Sequence, residues 1–226
     1  MSIAPHLPLT IDVLSDVVCP WCFIGKRRLE SALELFQTAY PLEPAPLVRW
    51  SAFQLNPDLP LAGIERAQYL STKFGDRAPS VYERVSAVGQ SVGIDFRFDL
   101  IERQPNTLLA HSLIAQAPSP HVQSVLVEAL FRAYFLEARD LTDQSVLFSI
   151  AQGAGLAEQE IHEGLQNVQA HHAVLEKERA ARELGINGVP FYIINSQLGV
   201  SGAQEPETLL EAMKEALSES KTPSAS

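Results

Sequence analysis

The chain has 226 residues, 46% of them hydrophobic, enough apolar material to bury a sizeable core in one large domain or in one domain with a substantial insertion. Its 17 Lys and Arg stand against 27 Asp and Glu, a formal net charge of -10, which excludes a general binder of nucleic acid or of anionic membranes, since both need clustered cations. No window approaches the roughly 18 uninterrupted apolar residues of a membrane span, and the first Lys or Arg is Lys26, behind Pro5, Pro8 and Asp12, a poor match to a secretory leader; the expectation is a cytoplasmic protein.

In chain order, LTIDVLSD (Leu9 to Asp16) alternates and carries β-branched residues, which predicts a strand. The two cysteines of the chain follow at once, Cys19 and Cys22 within SDVVCPWCFIGKRRLE, and from Pro20 the pattern turns helical. Trp21, Ile24, Leu29, Leu33 and Phe36 fall near helical spacing, and the Pro-rich YPLEPAP ends the helix. LVRWSAFQLN, Leu47 to Asn56, predicts a second strand, closed by PDLP. The right-handed crossover rule makes these two strands parallel neighbours.

From Ile64 to Leu184 the signals are helical, punctuated by Gly and Pro, with no strand. Ser80 and Glu83 have the spacing of a capping box, and Val122, Val125, Leu126, Ala129, Leu130, Ala133 and Tyr134 form one apolar stripe. After Gly185, VPFYIIN and LGVSG predict two short strands joined at Asn195 to Gln197. A final helix from Pro206 is expected to bury Leu209, Leu210, Met213 and Leu217, with residues 219–226 as a disordered tail.

Two cysteines three residues apart invite three readings: a staple, half of a metal site, or a reactive pair. A bridge over so short a loop constrains few unfolded conformations, and a reducing cytosol disfavours a structural disulfide. A structural zinc site needs four ligands, and no histidine pair stands at suitable spacing; His171 and His172 are adjacent and suit a solvated face. At a strand-to-helix junction, Cys19 meets the free N–H groups and positive end of the helix, where a thiolate is favoured. Cys19 is then the attacking thiol and Cys22, one turn further in, the resolving one, against the plain alternative of two inert buried thiols. Trp21, on a turn expected to be exposed, suits substrate contact as well as partial packing. Asp16 could act on the thiols or simply shape the turn, and His111 reads as packing near the cleft. Trp50, Phe53, Phe191 and Tyr192 read mainly as sheet core.

The run SDVVCPWCFIGKRRLE, followed in order by FQLNPD, NTLLAH, GINGVPF and VSGAQ, resembles the thioredoxin-fold DsbA family, and within it the FrnE-like branch, from about residue 10 to residue 215. The resemblance implies an α/β thioredoxin fold, β-α-β then β-β-α, built from residues 8–62 and 185–218 and interrupted by an inserted helical domain at 63–184. It implies a thiol-disulfide oxidoreductase, with isomerase activity an open addition, using Cys19 and Cys22 as redox pair. Pro190 would be a cis-proline, and Pro20, Trp21, Val189 and Pro190 would contact substrate. Implied partners are disulfide- or dithiol-bearing proteins or small molecules, with homodimerisation open. No tightly bound cofactor and no metal is implied, though glutathione could serve as redox partner or co-substrate. The superfamily also holds kappa-class glutathione transferases and 2-hydroxychromene-2-carboxylate isomerases, a glutathione-dependent alternative. Those proteins typically carry serine at the position of Cys19, and a Ser-Asp pair where this chain has Ala203 and Gln204.

Overall fold

The computed structural model describes residues 7–221. A central four-stranded sheet has the order β2-β1-β5-β6, with β1 at Thr10–Ser15, β2 at Leu47–Ala52, β5 at Phe191–Ile194 and β6 at Leu198–Ser201. β1 and β2 run parallel, Thr10 opposite Leu47 and Ser15 opposite Ala52, joined through α1, Pro20–Ala39. β5 lies antiparallel to β1 and β6 antiparallel to β5, and α9, Pro206–Lys221, follows. This is the α/β thioredoxin arrangement, β-α-β then β-β-α.

Between β2 and β5 come α2 (Arg66–Phe74), α3 (Ala78–Ser91), α4 (Leu108–Gln116), α5 (Pro120–Phe135), α6 (Gln144–Gly153), α7 (Glu158–Gln166) and α8 (Val168–Glu183). The segment is not wholly helical, contrary to expectation: β3 (Ile64–Glu65) pairs antiparallel with β4 (Arg103–Gln104). Strands of two residues are too short to leave a periodicity in the sequence.

Four other expectations shift. The second strand stops at Ala52 rather than Asn56, because Leu55 N–H donates to the carboxylate of Asp16 at 2.7 Å in place of a ladder partner. Ser80 is not an N-cap: α3 begins two residues earlier, with Pro79 in its first turn, and Ser80 Oγ donates to Arg77 O. On α5, Val125 is exposed, and the buried face instead takes in Val127, Phe131 and Phe135. At the C-terminus, residues 219–221 are helical, while the rest of the expected tail, 222–226, lies outside the described residues.

The sheet is covered on both faces. Ile11 and Val13 of β1 and Tyr192 and Ile194 of β5 belong to the main core with Phe23, Ile24, Leu29 and Phe36 of α1 and Leu209 and Met213 of α9. Leu14 alternates to the other face, where it meets Phe53, Ala181 of α8 and Ile186. The outer edge of β2 is covered by α5 rather than left open: Trp50 N–H donates to Gln123 Oε1 at 2.7 Å and its indole Nε1–H to Ser124 Oγ at 2.9 Å. Trp50 and Phe53 are both buried, as the sequence suggested. No helix among the described residues is long and apolar enough to cross a membrane.

Phe23 ties α1 to the inserted helices. Its ring stacks on Phe131 at 5.0 Å between centroids and lies edge-on to Phe96 at 6.1 Å. Beside this cluster, Arg27 grips Glu128 of α5 through both terminal guanidinium nitrogens, and buried Lys26 lies 3.0 Å from the same carboxylate. Burial alone would raise the Glu128 pKa, but the hydrogen bond from Arg27 and the charge of Lys26 hold it below the usual glutamate range. A depressed carboxyl stabilises the fold above its unfolded pKa, and that contribution is lost as pH falls through the folded value. Glu128→Gln is therefore expected to lower stability by about 1–3 kcal/mol at pH 7. Its urea midpoint should converge with that of the unsubstituted chain on acidification, which parallel denaturation series from pH 7 to pH 3 would measure.

Candidate active site

Cys19 is the N-cap of α1, in extended conformation, and its N–H donates to Asp16 O at 3.0 Å to close the turn that follows β1. Pro20 takes the first helical position, where a missing N–H costs nothing. Cys22 N–H then donates back to Cys19 O at 3.0 Å, which sets both cysteines on the first turn of the helix. No side chain caps this end, so the helix directs its N-terminal amides and positive dipole end at the Cys19 turn.

Tertiary folding brings a remote segment onto this turn. Cys19 Sγ donates to Val189 O at 3.7 Å, across 170 residues of chain. The Val189–Pro190 peptide bond is cis. Pro190 is buried, and its carbonyl accepts from Gly202 N–H at 2.8 Å, fixing it to the end of β6. Val189 is half-buried, and its N–H has no hydrogen-bond partner among the described residues. The approach is close enough to restrict the helix: a Cβ on Gly25 would stand 2.5 Å from the Tyr192 hydroxyl and 2.9 Å from Pro190 Cγ.

The two thiols are close but not bonded, and they differ. Cys22 is sealed at 1% exposure. Burial, followed by the hydrogen bond and charge of Cys19, pushes the Cys22 thiol well above the usual range. Burial, and secondarily Cys22, also raises the hydroxyl of Tyr192. Cys19, at 4%, rests against the Val189 carbonyl, and the neighbouring Pro20 and Trp21 are half-buried. Trp21 packs against the core, so it is less exposed than the sequence suggested.

Asp16, fully buried, has several partners. Its carboxylate accepts from Leu55 N–H at 2.7 Å and from Val18 N–H at 3.5 Å, and faces His111 Nε2 at 3.4 Å. His111, itself buried on α4, thus reaches the cysteine turn from the inserted helices. Asp16 is a turn anchor, and with His111 it pairs the segment before Cys19 to the helical block. Of the two adjacent histidines, His171 makes a 2.9 Å contact with Gly164 O while His172 is exposed. No group of three His, Cys, Asp or Glu side chains among the described residues could hold a metal ion.

Sequence reading missed the contact of Gly25 and Tyr192 with Pro190. The available signal was a glycine two positions beyond Phe23 inside a helical pattern, which marks a close approach. Gly25→Ala should raise helix propensity by about 1 kcal/mol yet destabilise the protein by a net 1–3 kcal/mol or so, as the new methyl forces α1 off Pro190. Urea unfolding of the variant measures the sign directly.

The family described as a DSBA-like thioredoxin domain matches residues 10–214. A probable DsbA oxidoreductase from Streptomyces coelicolor superposes with a TM-score of 0.82 at 30% identity, over 95% of this chain and 92% of that one. The cytosolic disulfide reductase DsbM from Pseudomonas aeruginosa shares the fold, with a TM-score of 0.60 at 16% identity over 94% of this chain and 97% of that one. An uncharacterized protein of Bacillus subtilis, YwbO, is 24% identical over 207 residues, 91% of this chain and 96% of its own.

Proposed function

The chain belongs to the DSBA-like thioredoxin domain family, and on that premise we propose that it is a thiol-disulfide oxidoreductase in which Cys19 and Cys22 cycle between dithiol and disulfide. The observation that carries the reading is the asymmetry of the pair. Cys19 sits at an uncapped helix N-terminus against the Val189 carbonyl, whereas Cys22 is sealed and held protonated by burial and by its neighbour.

In this reading the Cys19 thiolate attacks one sulfur of a substrate disulfide, forms a mixed disulfide and expels the other sulfur as a thiolate that takes up a proton. Cys22 then gives up its proton and attacks Cys19 Sγ, releasing the second substrate thiol and leaving a Cys19–Cys22 bridge. The substrate gains two electrons and the pair loses two; run backwards, the same steps oxidise a dithiol. Burial is the main cause of the raised Cys22 thiol, but the hydrogen bond and charge of Cys19 add to it, so resolution becomes easier once Cys19 is consumed in the mixed disulfide. The Val189 N–H, without a partner among the described residues, would bind an extended substrate backbone, with Pro20, Trp21 and Pro190 as flanking contacts. Proteins or small molecules bearing a disulfide or dithiol are the proposed partners.

A glutathione-dependent isomerase has less to rest on. Ala203 and Gln204 offer no carboxylate; Ala203 O accepts from Arg28, and Gln204 Nε2 donates to Ser201 O at 2.7 Å.

Cys22→Ser tests the proposal. Turnover of glutathione disulfide with a dithiol reductant should fall at least about 100-fold, while a single mixed disulfide accumulates on Cys19 and is visible by mass spectrometry. Undiminished turnover would exclude the two-cysteine cycle. In the reduced native protein, iodoacetamide at pH 8 should modify Cys19 at least about tenfold faster than Cys22, since alkylation needs the thiolate. Peptide mapping over a time course gives both rates, and equal rates would remove the assigned order of attack.

A further inference from the structure

Outside the cysteine turn, Arg66, the first residue of α2, is a buried charge, 6% exposed, with no ionic partner among the described residues. Its guanidinium meets only neutral acceptors: Gln104 Oε1, the Tyr82 hydroxyl at 2.6 Å and the Tyr134 hydroxyl at 3.4 Å. The rings of Tyr69 and Tyr82 lie 5.2 and 5.4 Å from its central carbon. Two buried donors at this spot have no acceptor at all, Arg66 Nε and Gln104 Nε2. Buried cations are ordinarily matched by an anion, because desolvation is otherwise uncompensated.

Arg66 also lines a cavity of about 810 Å³ between α2, β4 and the loop after α5. That volume lies within the range of small-molecule sites. Its apolar wall includes Leu70, Phe98, Leu100 and Ile101. Two further arginines line it, Arg103 and Arg139, the latter donating to Ser149 Oγ at 2.7 Å. Four carboxylates also line it, and they bear on the ligand class. Asp140 is taken up by Arg103 and Thr142, Asp99 by Arg97, and Glu65 and Glu102 are exposed. With three cations against four anions, the cavity as a whole repels a polyanion, and only the depth of Arg66 favours negative charge. A phosphate or an oligoanion is therefore disfavoured, and a single carboxylate on an apolar body is favoured.

We propose that this cavity is a binding site for a small organic monocarboxylate, whose carboxylate is received by Arg66 and whose apolar body lies along Leu70, Phe98, Leu100 and Ile101. The site is independent of the thiol chemistry proposed above.

The experiment uses the full chain with 3-phenylpropionate and its neutral counterpart 3-phenylpropionamide, followed by calorimetry and by backbone amide shifts. The carboxylate should bind at least tenfold more tightly than the amide, with shifts confined to residues around Arg66, Leu70 and Phe98. In Arg66→Met that preference should vanish. Equal binding of the two probes, binding of neither, shifts centred elsewhere, or an undiminished preference in Arg66→Met would overturn the proposal. Should Arg66→Met fail to fold, the two probes and the shift map on the unsubstituted chain decide alone. Disulfide turnover by the same preparation reports separately on the cysteine pair, so failure of one reading does not carry over to the other.

Discussion

The structure depends most on the close packing of the first turns of α1 against the segment from Val189 to Tyr192. The helix can come this near only because residue 25 has no side chain, and the result is a thiol at Cys19 resting on the Val189 carbonyl while Cys22 is shut in behind it. Each feature follows from the last. Close approach excludes water, and exclusion of water penalises the charged form of Cys22, while Cys19 stays at the uncapped end of the helix.

The inserted helices support this contact rather than merely surrounding it. α5 covers the β2 edge through Gln123 and Ser124, its phenylalanines clasp Phe23, and its Glu128 holds Lys26 and Arg27. α4 brings His111 to Asp16, one turn before the cysteines. The same block carries its own unmatched cation, Arg66, beside a cavity. A block whose polar interior is fully satisfied would need nothing more; among the described residues this one leaves Arg66 Nε and Gln104 Nε2 side by side with no acceptor, and Ser112 Oγ on α4 also without a partner.

Much of the chain was legible in advance. β1, the helix from Pro20, the hairpin around Asn195 to Gln197 and the last helix each carried a local signal, whether alternation, a proline at a helix start or a turn between two apolar runs. The misreadings have physical causes. Phe23 lies off the single stripe drawn on α1, because that helix is buried by the sheet on one side and by α5 on another, so one amphipathic face does not describe it. β2 ends early because the Asp16 side chain takes the Leu55 amide, a competition between side chain and ladder that no periodicity encodes.

The sequence by itself determined the order of elements, the thioredoxin class and the placing of two cysteines at a helix start, since these depend on neighbours within a few residues. Only the tertiary structure decided which groups meet: Cys19 with Val189, Gly25 with Pro190 and Tyr192, Asp16 with His111, and Arg66 with three tyrosines and, among the described residues, no carboxylate. The reason is one of range. Local preference and capping act over a turn of chain, whereas the desolvation that raises the Cys22 thiol, and the burial that leaves a cation unmatched, are set by whatever the whole fold packs around them.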